Sequence, residues 1–93
     1  MDYSKLSDID IDTMVSKICS PEFHRNYCGN PADAWLIVES NLISMRPVVL
    51  SGVVNWVASR DIYAQYNTNP LRAAMIVFLM MQESANVQDN PAR

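Results

Sequence analysis

Cys19, Glu22, His24 and Cys28 are of the residue types that ligate metals or attack electrophiles, and they lie close together in the chain. A structural zinc site takes four ligands, with cysteines paired two to four residues apart so that both thiolates reach one ion. Here the two cysteines lie nine positions apart and the chain has a single histidine. That spacing favours a buried Cys19 on a helix and a surface His24 over a metal centre. Cysteine catalysis needs a base beside a thiol of lowered pKa. His24 is near Cys28 in sequence, yet the flanking NYCGN has no organised nucleophile site. Asp8, Asp10 and Asp12 resemble the start of a calcium loop, but Thr13 stands where that loop needs glycine and Cys19 where it needs a bidentate glutamate. Helix capping accounts for the aspartates instead. Only Gly29 and Gly52 are present, too few for a phosphate-cradling loop. Asp33 with Asp61, or Glu39 with Glu83, could act as carboxylate pairs, but no spacing brings them together. Trp35 and Trp56 lie in apolar runs and are expected in the core. Tyr63 and Tyr66 lie near Arg60, as part of a surface patch or as shields over a sheet. No catalytic, cofactor-binding or metal-ligating residue is assigned, and the expectation is a protein that is not an enzyme and carries no cofactor.

The elements that would position these residues belong to one domain, residues 1–93. At 49% apolar and 18% charged residues the chain is globular, with few charges for its size. Seven basic residues against ten acidic ones leave a net charge of −3. The basic residues are scattered, whereas a phosphate-tracking surface clusters them. Nucleic-acid binding is therefore disfavoured. The N-terminus has no basic-then-apolar export signal, and no apolar run approaches the roughly 20 residues that cross a bilayer. A location in a reducing cytoplasm, with both cysteines free, is expected.

The first helix is signalled at 7–19. Ser7 can cap it with Asp10 in the capping-box position, and Ile11, Met14, Val15 and Ile18 recur on one face. Asn30-Pro31 opens a second helix, 31–41, because Asn accepts from a free N–H and Pro at the first position loses no donor. The run Ala34 to Val38 predicts that this helix is largely buried. Residues 43–66 read as a small antiparallel sheet, with Ser51-Gly52 and Asp61 as turns. Val54, Trp56 and Ala58 share one face, and Ile62, Ala64 and Tyr66 alternate. A helix through Val53, Trp56, Val57 and Ala64 is the competing reading and would make the fold all-α. Asn69-Pro70 repeats the cap and opens the last helix, 70–84, followed by a frayed tail at 85–93. The fold class is thus α+β, with the last helix at its centre.

That last helix has no polar face. Arg72, Ile76, Leu79 and Glu83 form one stripe, with Ala74, Val77, Phe78 and Met81 opposite. A helix apolar all round is usually buried. Either it is packed on every side, or the Arg72/Ile76/Leu79/Glu83 stripe meets a partner or a second copy.

Three blocks, MDYSKLSD at the start, YCGNPADAW in the centre and NPLRAAMIVFLMMQE near the end, together resemble the NinX-type family of small proteins from lambdoid temperate phages and enterobacterial prophages. The last block is the most specific. Leu36 departs from the pattern, in which proline often follows the Ala-Trp pair. The resemblance implies a phage accessory protein, encoded between replication and late-regulation functions of the phage, and carries no site residues over. Joined to the small size, the acidity and the surplus apolar helix surface, it predicts a non-enzymatic protein-binding module in the bacterial host cytoplasm, with an unknown protein partner or self-association and no membrane. The alternatives are a nucleic-acid-associated accessory factor of phage replication or recombination, and a small hydrolase.

Overall fold

The computed structural model describes residues 2–19 and 25–88, the side chains of 86–88 excepted. The element order is a 3-10 turn (Tyr3–Lys5), α1 (Asp8–Cys19), α2 (Pro31–Ser40), β1 (Ser44–Leu50), β2 (Val53–Arg60), β3 (Tyr63–Asn67) and α3 (Pro70–Gln88). The three strands form one antiparallel sheet in the order β1-β2-β3. This is the expected α+β fold, and the all-α alternative is excluded by the sheet.

Each helix starts where its local chemistry dictates. At α1, Ser7 Oγ accepts from the Asp10 N–H at 3.1 Å and Asp10 Oδ2 accepts from the Ser7 N–H at 3.3 Å, a reciprocal capping box. Asn30 Oδ1 accepts from Ala32 N–H at 3.0 Å at the start of α2, and Asn69 Oδ1 accepts from Leu71 N–H at 2.9 Å at the start of α3. α2 ends in a Schellman motif: Ile43 N–H donates to Val38 O at 3.0 Å and Leu42 N–H to Glu39 O at 3.3 Å. The motif places Leu42 at φ 53°, a left-handed conformation usually given to glycine. α3 runs to Gln88, so residues 85–88 are helical rather than frayed. No proline or glycine interrupts them before Pro91.

The sheet is built by two tight turns. Ser51 (φ 51°) and Gly52 (φ 79°) join β1 to β2, as a two-residue hairpin loop requires. Asp61 (φ 55°) opens the second turn. Ile62 falls in that turn, exposed, and not in β3 as the alternation suggested. The register puts Met45, Ala58 and Gln65 in one row, and Arg46, Val57 and Tyr66 in the next, on the opposite face. Ala58 belongs to the main core with Met45 and Tyr63 packed against it. Val57 is buried yet stands outside that core, shaded on the outer face by its cross-strand neighbours.

α3 touches every other regular helix and strand, most extensively β2 and β3, then α1 and α2. It therefore lies between the sheet and the helical pair. This is why it has no polar face: Ala73, Ala74, Met75, Ile76, Val77, Phe78 and Leu79 are all buried. α1 contributes Ile11 and Val15 to the core, and α2 contributes Ala34, Ile37 and Val38. Ile18, expected on the core face of α1, is exposed near its end.

Candidate functional site

The stripe proposed for a partner is already occupied within the chain. Ile76 and Leu79 are 1% and 3% exposed and belong to the core. Arg72, at one end of the stripe, clamps the N-terminal segment. Its Nη1 lies 2.8 Å from Asp8 Oδ1, and its Nη2 donates to Leu6 O at 2.6 Å and to Ser4 O at 3.3 Å. Glu83, at the other end, accepts from the Tyr3 hydroxyl. Burial, and then this carboxylate, push the Tyr3 hydroxyl up to about 12. The same hydrogen bond holds the Glu83 carboxyl below its usual value. The expectation of an open stripe is thus corrected: the N-terminal turn and α1 cover it.

The three N-terminal aspartates do three different things. Asp10 caps α1, Asp8 pairs with Arg72, and Asp12 is buried, its Oδ1 accepting from Cys28 N–H at 2.9 Å. Cys28 is itself 1% exposed, and its carbonyl accepts from Asn69 Nδ2 at 2.8 Å. Burial, then hydrogen bonding to Asp12, push the Cys28 thiol far above its ordinary pKa. A thiol so placed stays protonated and is a poor nucleophile. Its environment ties α1, the connector and the cap of α3 together. Neither Asp12 nor Asn69 carried a local signal for this, since both contacts span the sequence.

Cys19 is exposed at the end of α1, not buried as expected. Glu22 and His24 lie outside the described residues. Among the described residues no three His, Cys, Asp or Glu side chains are grouped to hold a metal ion. Three of the four carboxylates considered as pairs are engaged separately: Asp33 with Arg25 at 3.5 Å, Asp61 with its neighbour Arg60 at 3.9 Å, and Glu83 with Tyr3. Tyr63 and Tyr66 point to opposite faces of β3, the first half-buried against the core and the second exposed. Beside α2 a cleft of about 380 Å³ is lined by Cys19, Arg25, Tyr27, Asp33, Leu36 and Ile37, among others. Among the described residues its carboxylate is Asp33, which is paired with Arg25.

Two apolar surfaces of the described residues remain open. The first is on α2. Only Ala34, Ile37 and Val38 of this helix are buried, because α2 meets the body of the protein chiefly through α3. Trp35 (57% exposed) and Leu36 (69%) face away, so the expectation that Trp35 is core and α2 largely buried is corrected. Leu42, just past the helix, adds a third side chain at 66% exposure. Glu39, one turn beyond Trp35 and Leu36, projects between them at about 100° per residue and has no charged partner among the described residues. The second surface is the β1–β2 hairpin. β3 pairs only with Trp56 to Arg60, so Val53 and Val54 and their β1 partners extend as a two-stranded ribbon. Val49, Leu50, Val53 and Val54 are all exposed there. Arg46 lies on the same face as Val48 and Leu50, exposed and without a charged partner among the described residues.

Residues 2–82 match the family model described as Bacteriophage P22, NinX. No curated protein and no solved structure matches the chain.

Proposed function

The chain belongs to the NinX family of phage proteins, and we propose that this phage accessory protein acts as a non-enzymatic protein-binding module in the host cytoplasm. The observation that carries the reading is the α2 surface. Trp35 and Leu36 on α2 and Leu42 just past its end are large and exposed. Leu42 moreover holds a left-handed conformation that disfavours every side chain with a Cβ. A strained leucine whose side chain points into water is poorly explained by folding alone, and exposed apolar groups clustered around a tryptophan are the usual centre of a protein interface. Charge supports the same reading. Four of the seven basic residues are spent on carboxylates of the chain itself: Lys5 on Asp2, Arg25 on Asp33, Arg60 on Asp61 and Arg72 on Asp8. Among the described residues that leaves Lys17 and Arg46, which is no track for phosphates. The protonated, buried Cys28 supports binding over cysteine catalysis.

Affinity capture of the tagged protein from an induced lysogen lysate, with and without nuclease, tests the reading. The expected result is a stoichiometric protein partner, the same chain included, that survives nuclease and is lost from Leu36→Asp while the variant's thermal unfolding is unchanged. Partners lost with nuclease would replace this reading by the nucleic-acid one.

A further inference from the structure

We propose that the α2 surface and the hairpin surface are the two halves of one contact, so that the partner of this protein is a second copy of itself, joined head to tail. The inference rests on the protein-binding reading and names its occupant. It comes from charge complementarity. Among the described residues each surface is apolar with one unpartnered charge, and the charges are opposite: Glu39 between Trp35 and Leu36, and Arg46 beside Val48, Leu50 and Val53. Most other basic groups in the described chain already have a carboxylate.

Glu39 is a poor choice for an isolated chain. Glu39 stands in the last turn of α2, where no basic residue is present and the helix dipole disfavours a carboxylate. Arg46 sits in a row with Val57 and Tyr66 on the outer sheet face, where its stem can shade Val57 but its charge has no carboxylate. Seated together, Glu39 and Arg46 would neutralise each other at the edge of an apolar contact, where such a pair sets register and excludes wrong partners. Within one molecule Glu39 and Arg46 form no ion pair. α3 lies between the sheet and the α2 layer, so the hairpin of one copy reaches the α2 face of the next. Such a contact is heterologous, closing into a ring or continuing as a chain.

The test is sedimentation of the purified full chain over a wide concentration range at low ionic strength. The expected result is reversible self-association that Glu39→Arg and Arg46→Glu each weaken by at least about ten-fold. An equimolar mixture of the two variants should associate again. In alternating order, the arginine introduced in one variant meets the glutamate introduced in the other, and the Glu39 that remains meets the Arg46 that remains. Glu39→Arg should at the same time raise the unfolding midpoint of the monomer, since it reverses the dipole clash. Fold stability and assembly therefore move in opposite directions, which a variant that merely damaged the fold would not show. A chain that stays monomeric throughout, or association that survives both substitutions, overturns the inference. If that monomer captures a different protein through Leu36, the self-contact is wrong while the protein-binding reading stands.

Discussion

α2 and α3 are each introduced by Asn-Pro, are capped by the same side-chain geometry and continue into apolar runs, yet they end up in opposite environments. α3 is buried through seven consecutive residues from Ala73 to Leu79. α2 buries only Ala34, Ile37 and Val38 and leaves Trp35 and Leu36 in water. What separates them is the number of layers around each helix. α3 has the sheet on one side and two helices on the other, whereas α2 rests chiefly on α3. An apolar run thus states that a helix wants to be covered; it does not state whether its own chain will cover it.

The sharpest way to break this comparison is to place the same charge in both runs. Ile76→Asp puts an unpaired carboxylate into the central layer and should unfold the protein, because the cost equals or exceeds the roughly 5–10 kcal/mol that holds a domain of this size. Leu36→Asp should change stability by no more than about 0.5 kcal/mol. Circular dichroism of the two variants checks both, and a folded Ile76→Asp would return the stripe to the surface.

The caps offer the next contrast. Asn30→Ala should cost about 1 kcal/mol, the usual worth of a cap. Asn69→Ala should cost about 2 kcal/mol in urea unfolding, because Asn69 also donates to the Cys28 carbonyl from its amide. Equal losses would mean that the tether to the connector contributes nothing.

The covering of α3 by the N-terminal turn has a pH signature. The Tyr3 hydroxyl is raised from its ordinary 10 to about 12 in the folded chain. A group raised on folding contributes stability that is complete below pH 10 and is lost as pH rises through about 12. Stability should therefore fall across that window, and Tyr3→Phe should fall less steeply, the two curves converging at its upper end. The Cys28 thiol, also raised, adds to the same alkaline loss and keeps the Phe variant from being flat. Thermal melts across the window measure both slopes.

One expected effect runs the other way. Leu42→Gly should stabilise the isolated domain by about 1 kcal/mol, because glycine takes the left-handed conformation without the Cβ clash. The same change should weaken binding at the α2 surface. A destabilised Leu42→Gly would show that the exposed leucine packs locally after all.

What could be read in the sequence was what is decided within about four residues. Ser7 with Asp10, Asn30-Pro31, Asn69-Pro70 and Ser51-Gly52 announced their helices and hairpin because capping and turn bonds close locally. The α+β class and the family resemblance followed from those marks and from three quoted blocks. The candidate site was less legible. That the Arg72–Glu83 stripe is roofed by Tyr3 and α1, that Asp12 and Asn69 converge on Cys28, and that Trp35 faces water all depend on contacts between residues far apart in the chain. The sequence by itself left strands and a helix both open over 43–66, and determined where the three helices start and that the apolar run of α3 must be covered. Only the tertiary structure decided what covers it and which apolar surfaces were left over, because burial is a property of the neighbours that the fold brings to a residue, and not of the residue.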